Sequence, residues 1–355
     1  MLSRSAGRWP VIAGPLSVSS PTLPSVEETS TILASPAIPG QPDVGSRDDE
    51  CGRSLSPSRA ADFLSCPLLY RFRVIDRLPE APSPAMARGT LVHAVLERLF
   101  DEPASSRNPQ AAARLIEPEW DRLVASEPGL AGLFADDAER DDWLVQARTM
   151  IDRYFTLEDP TRLEPAHREL RVGAVLSSGL RLRGYIDRID VSPGGEVRIV
   201  DYKTGTAPRA DFEARAMFQM RFYALVLWRT SGTVPRLLQL IYLGNGEIMR
   251  YAPDEADLLA TERKIEALWR AIERARAAGD WRPRPSKLCD WCAHQAICPS
   301  FGGTPPPLPG SDDEAEAQMH AQAGHPGGPE GPVAGRADRS SLAATALDRD
   351  RDHEL

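Results

Sequence analysis

Near residue 170 the spacing of apolar residues changes, and that change limits the folds open to the chain more than any other feature. Before it, Leu91, Val92, Val95, Leu96 and Leu99 recur at helical intervals over Met86 to Phe100. Leu115, Trp120, Leu123, Leu144, Ile151 and Phe155 give two more helices in 110–126 and 136–156. After it, Leu170 to Leu176, Leu180 to Val191 and Glu196 to Thr204 read as strands, the last two joined as a hairpin by Ser192-Pro193-Gly194-Gly195. The helical period returns over Asp211 to Trp228. Arg236 to Leu243 is another strand, Gly244-Asn245-Gly246 turns it into a short partner, and Asp254 to Ala278 is a long amphipathic helix. With a short helix at Arg59 to Ser65 in front, this order predicts an α/β domain with a mixed central sheet flanked by helices.

The two ends lack any such period. Residues 1–50 are rich in Ser, Pro and Thr, and residues 303–355 run through Pro305-Pro306-Pro307, an acidic Asp312-Asp313-Glu314 cluster and a Gly/Pro/Ala stretch, so both are expected to be disordered tails around a folded domain at 51–302. The tails carry three arginines against six acids and four against ten, which accounts for the whole net charge of −9. The charge therefore does not argue against a phosphate-binding face on the folded part. No stretch reaches about 18 uninterrupted apolar residues, so no membrane span is expected. The run near Val11 is broken by Pro10, Gly14 and Pro15 and makes a poor signal peptide, which points to the cytoplasm.

A turn centred near Gly194 sets Asp187 directly across from Asp201. Cross-strand neighbours sit about 4.5–5.5 Å apart at Cβ, and like charges so placed destabilise a sheet. A divalent cation between the carboxylates would offset the repulsion, and hard oxygen ligands suit Mg²⁺ or Mn²⁺. Lys203, two residues beyond Asp201, projects from the same strand face. It is one of three lysines among 42 basic residues, and a compact ammonium suits orienting a water beside a metal. On spacing alone, Asp187, Asp201 and Lys203 would equally make a surface salt-bridge cluster. Gln219 and Tyr223 share one face of their helix, where they could simply pack. His93 lies in an apolar helix, where a lone histidine is more often a core residue than a ligand. Glu97, one turn later, either solvates the helix or orients His93.

Cys289, Cys292 and Cys298 cluster near the end of the folded part, and Cys66 lies at its start. In a reduced compartment such a set binds a metal or cluster more often than it forms disulfides. Four thiolates suit tetrahedral zinc or a 4Fe-4S cluster, and the wide separation would tie the N-terminal helix to the C-terminal segment. Cys51, in the N-terminal tail, is expected to be a free thiol.

Gly184-Tyr185-Ile186-Asp187-Arg188-Ile189-Asp190 followed by Ile199-Val200-Asp201-Tyr202-Lys203-Thr204-Gly205 resembles the core of PD-(D/E)XK nucleases of the RecB-family exonuclease type. Gly89-Thr90-Leu91-Val92-His93-Ala94-Val95-Leu96-Glu97 is similar to that family's upstream histidine helix, and Gln219-Met220-Arg221-Phe222-Tyr223 to its Gln-x-x-x-Tyr motif. The resemblance covers roughly residues 56–302 and implies a restriction-endonuclease-like core. It implies that His93, Asp187, Asp201 and the Tyr202 carbonyl hold the metal, that Lys203 positions the attacking water, and that Gln219 and Tyr223 help position DNA. Asp201 stands where many relatives carry Glu. One cysteine upstream and three downstream is the arrangement of iron-sulfur members, including AddB-type and CRISPR-adaptation nucleases, which puts 4Fe-4S ahead of zinc.

DNA would approach over arginines, with Arg71, Arg73, Arg77, Arg88, Arg181, Arg183, Arg221, Arg282 and Arg284 as candidates. No Gly-x₄-Gly-Lys-Ser/Thr loop occurs, so a motor would have to be a separate helicase subunit. The expected activity is a metal-dependent DNA exonuclease that processes single-stranded ends in repair and recombination. The alternatives are a catalytically weak DNA-binding or scaffold subunit of a helicase-nuclease complex, and a zinc-stapled enzyme of other chemistry.

Overall fold

A computed structural model of the chain describes residues 54–208 and 213–309. The tail at 1–50, Cys51, the first two residues of the helix expected from Asp211, and the acidic cluster at 312–314 lie outside the described residues. The chain divides into two units, Met1–Pro306 and Pro307–Leu355, and every element lies in the first.

The elements follow the predicted order. They are β1 (Ser54–Leu55), α1 (Pro57–Ser65), α2 (Pro67–Tyr70), α3 (Pro84–Leu99), α4 (Pro109–Ser126), α5 (Asp137–Leu157), β2 (His167–Val175), β3 (Arg181–Val191), β4 (Val197–Lys203), α6 (Glu213–Ser231), β5 (Leu237–Tyr242), β6 (Glu247–Tyr251) and α7 (Glu255–Ala278). Local chemistry sets the helix starts. The Ser56, Ser83 and Asn108 side chains accept from the exposed first-turn amides of α1, α3 and α4, each with proline in the first turn. Asp254 and Asp257 form a reciprocal cap on α7, which ends at Gly279 in the left-handed region at φ 62°.

Four strand pairings and one short parallel contact build the sheet. β2 runs antiparallel along one edge of β3, from His167 opposite Ile189 to Val175 opposite Arg181. The other edge of β3 is shared. β1 pairs parallel with its start, at Arg181 and Leu182, and β4 pairs antiparallel with its end, from Arg188 opposite Val200 to Val191 opposite Val197. Among the described residues, 183–187 between these contacts have no strand partner on that edge. β4 then pairs parallel with β5, and β5 antiparallel with β6. The two-residue β1 carries too little pattern to be seen in the sequence. The hairpin register is the predicted one, set by Gly195 at φ 83° in the Ser192–Gly195 turn.

One core cluster joins α3, α4 and α5 to Val200, Tyr202, Ile241 and Leu243 of the sheet region. α6, lined with buried Met217, Met220, Phe222, Ala224 and Val226, packs on the sheet, and α7 packs against α6 and α1. After α7 the chain returns to the N-terminal helices. Trp281 stacks on Tyr70 with ring centroids 5.9 Å apart and meets Phe63 edge-on, and Arg284 donates to the Leu64 carbonyl at 2.7 Å.

Candidate active site

The β3–β4 ladder ends at Arg188 and Val200, one pair before Asp187 and Asp201 would face each other. The two carboxylates part company instead. Asp187 Oδ2 accepts the Tyr202 backbone N–H at 2.7 Å, in place of the next rung of the ladder. Asp201, 1% exposed, turns to Lys203 and Gln219: Lys203 Nζ lies 2.7 Å from Asp201 Oδ2, and Gln219 Nε2 donates to Oδ1 at 2.9 Å. Lys203 also donates to Gln219 Oε1 at 2.8 Å, and Gln219 Nε2 reaches the Tyr223 hydroxyl at 3.2 Å. The glutamine amide thus ties acid, lysine and tyrosine together. Both oxygens of the buried Asp201 carboxylate are therefore held by protein groups, Oδ2 by the Lys203 ammonium and Oδ1 by the Gln219 amide.

His93 comes from α3 and meets the same strand ends. Its Nε2 lies 2.9 Å from the Tyr202 carbonyl oxygen, and its Nδ1 lies 3.4 Å from Asp187 Oδ2. The carboxylates within ion-pair reach of the ring are Asp187 and Glu169; Glu97 is not among them. Glu169 is the residue that sequence reasoning missed. The alternating pattern begins only at Leu170, so the strand seemed to start after it, whereas β2 extends back to His167. Glu169 holds φ 43°, a conformation that non-glycine residues rarely adopt in a strand. Ligand atoms of His93, Glu169 and Asp187 all lie within 4.8 Å of one another.

Burial of so many acids together raises their proton affinity. Desolvation, with the Asp201 charge second, pushes Asp187 well above the ordinary carboxylate range. Burial and the Asp187 charge push Glu169 up to about 7. Groups that resist ionising beside one another in this way are suited to a cation that replaces the protons. Behind them Arg188, 1% exposed, pairs with Glu158 at 2.8 Å and Asp190 at 3.1 Å, and donates to the Tyr202 hydroxyl. Arg198 closes the set on Asp190 and Glu158 at 2.8 and 3.3 Å.

The predicted arginine path is largely occupied by the fold itself. Arg71 pairs with Asp76, Arg73 with Asp62 and Glu80, and Arg282 with Asp280. Arg88 holds Gln146, Arg221 lies over the Tyr251 ring, and Arg284 bonds Leu64. Arg183 does line a cleft of about 790 Å³ beside Lys203 and Gln219, and the arginines that join it there are Arg59 and Arg171.

All four predicted cysteines line one cavity of about 250 Å³ between α1–α2 and the turns at Lys287–Trp291 and Gln295–Ile297. The Arg284 N–H points at Cys66 Sγ (3.4 Å) and the Ser286 N–H at Cys289 Sγ (3.3 Å). Burial, with the neighbouring Cys289 and Cys66 adding to it, raises the Cys292 thiol pKa. Buried His294, between Cys292 and Cys298, pairs with Glu80 at 2.8 Å and pins the segment to the N-terminal part. Among the described residues, no three of these sulfurs lie within 4.8 Å of one another.

A family model described as the PD-(D/E)XK nuclease superfamily matches residues 54–299. The Gene 69 protein of Mycobacterium phage D29 is 24% identical over 279 residues, covering 69% of this chain and 96% of that protein. The Gene 69 protein of Mycobacterium phage L5 is 32% identical over 126 residues, covering 35% of this chain and 41% of that protein. Among solved structures, a candidate exonuclease from Eubacterium rectale aligns with a TM-score of 0.49 at 17% identity, over 81% of this chain and 100% of that one.

Proposed function

Because the chain belongs to the PD-(D/E)XK nuclease superfamily, we propose that it is a metal-dependent deoxyribonuclease of the RecB-family exonuclease type, processing single-stranded DNA ends in repair and recombination. The observation that carries this reading is the pair of contacts where the β3–β4 ladder ends, His93 with Asp187 on one strand and Lys203 with Asp201 on the other.

Asp187, Asp201, His93 and the Tyr202 carbonyl are read as the ligands for Mg²⁺ or Mn²⁺, and the grouping of His93 with the Asp187 and Glu169 carboxylates fits a hard divalent cation. When bound, such a cation activates water and screens the charge of the scissile phosphate. Lys203, whose ammonium reaches Asp201 from the cleft wall, holds the attacking water and stabilises charge on the phosphate oxygens. Gln219 keeps Lys203 and Asp201 at a fixed separation, and Tyr223 holds Gln219.

The four cysteines are read as ligands of a 4Fe-4S cluster that fastens the returning C-terminal segment to α1. A zinc tetrahedron with bonds of about 2.3 Å needs sulfurs about 3.8 Å apart, closer than this set stands. A larger cluster suits the 250 Å³ cavity better. On this reading residues 51–302 form the nuclease domain, the protein works in the cytoplasm, and a separate helicase subunit supplies the strand.

The test is degradation of end-labelled linear and circular DNA by anaerobically purified protein with Mn²⁺ or Mg²⁺. The wild type shortens linear strands and spares circles, and Lys203→Ala and Asp201→Ala, folded by circular dichroism, release no product. Wild-type protein with equal iron and acid-labile sulfide that cuts nothing would overturn the nuclease assignment. Zinc without iron would overturn the cluster assignment and leave the nuclease standing.

A further inference from the structure

We propose that Tyr185, flanked by Arg171 and Arg183, forms a nucleotide subsite in which the tyrosine ring stacks on an unpaired base of the strand held at Lys203; this rests on the nuclease reading above and names the residues that take the unpaired strand.

The unpaired edge of β3 at 183–187 makes the room. Neither β1 nor β4 covers it, and the cleft of about 790 Å³ opens over it, lined by Arg59, Arg171, Arg183, Tyr185, Lys203 and Gln219. Arg183, Tyr185 and Asp187 alternate along β3 and so project from one face, in steps of about 6.6 Å. Arg171 of β2 lies directly opposite Tyr185 in the strand register, which places it beside the ring. Within the cleft the arginine at the start of the gap and the tyrosine beside it face Lys203 and Gln219.

Among the described residues, the Tyr185 ring stacks on no other ring and its hydroxyl makes no hydrogen bond. Of the aromatic rings lining the cleft, Phe218 and Tyr223 are buried at 7% and 5% exposure, whereas Tyr185 is 57% exposed. An aromatic face set between guanidinium groups has the chemistry of a single-strand binding groove, with charge along the backbone and a ring for the bases. Bases inside a duplex are already stacked on one another, so the ring favours an unpaired nucleotide.

Binding is measured by fluorescence anisotropy without divalent cations, so that nothing is cut. The probes are a labelled single-stranded oligonucleotide, the same sequence as a blunt duplex, and a set of single strands with one abasic position each. Tyr185→Ala is expected to weaken single-strand binding by about five- to a hundredfold. Duplex binding should change less than about twofold, and Tyr185→Phe should bind single strands as the wild type does. One abasic position should cost the wild type a similar factor and cost Tyr185→Ala nothing. Arg171→Gln and Arg183→Gln should each lower the salt dependence by about one ion. Unchanged melting curves are expected because the ring is exposed. Equal losses by Tyr185→Ala on single strand and duplex, or none on either, would overturn the subsite while wild-type binding left the nuclease reading intact. A wild type that bound neither form would overturn both.

Discussion

Asp187 Oδ2 accepts the backbone N–H of Tyr202 at 2.7 Å, just past the last paired rung of β3 and β4. A side chain thus replaces a backbone carbonyl in the ladder, and past that point Asp187 turns to His93 while Asp201 turns to Lys203 and Gln219. Removing the charge and removing the acceptor should therefore have different effects.

Asp187→Asn keeps an oxygen for the Tyr202 amide and relieves repulsion with Asp201, so the metal-free protein should melt at or above the wild-type temperature while Mn²⁺ binding by calorimetry is lost. Asp187→Ala leaves that amide without its acceptor and should cost about 1–3 kcal/mol. Equal destabilisation by both substitutions would show that the hydrogen bond is not what holds the strand end.

Glu169 and Asp187 bind protons more tightly in the folded protein than in the unfolded chain. Below the ordinary carboxylate range both states are protonated and the groups contribute nothing. As pH rises towards the Glu169 value of about 7, the unfolded chain has already lost its proton and the folded state must give one up at a cost. Metal-free stability should fall over that window. Mn²⁺ affinity should rise over the same window, because metal and proton compete, and Glu169→Gln should flatten both trends. Denaturant unfolding and calorimetric titration between pH 4.5 and about 7.5 would measure them.

A methyl group at Gly184 would lie 2.6 Å from Cε1 of Tyr223. That ring is buried and bonded to Gln219, so it cannot swing clear without moving the amide that spans Asp201 and Lys203. Gly184→Ala should cost about 1–3 kcal/mol by overpacking and lower kcat more than it raises KM. In a Tyr223→Ala background the added methyl should be nearly silent; an undiminished effect there would rule out the clash with Tyr223 as its cause.

Arg188 is buried among Glu158, Asp190 and the Tyr202 hydroxyl, directly behind the metal ligands. Arg188→Met would leave two buried carboxylates sharing Arg198 and should cost about 3–5 kcal/mol in urea unfolding. A loss below about 1 kcal/mol would mean that Arg198 alone balances both acids.

The order of elements was legible in the sequence because the switch between helical and alternating periods is local chemistry, written residue by residue. The hairpin register was legible too, since a short turn at Gly194-Gly195 leaves few ways to pair its arms, but the ladder stops at Arg188 and Val200, and the separate partners of Asp187 and Asp201 beyond it were not legible. Glu169 was not legible. It joins His93 and Asp187 through an antiparallel partner strand and an unusual backbone angle, neither of which leaves a mark in the apolar pattern. The arginines show the same limit: the sequence supplies many, and only the packing decides that Arg73 and Arg284 join the N-terminal helices to other segments while Arg59, which also bonds Ser54, Arg171 and Arg183 line the cleft. Residue types and their spacing thus fixed which groups could act, because they follow from neighbours along the chain. Which groups meet depended on strand pairing and helix packing, where contacts between distant residues set the partners.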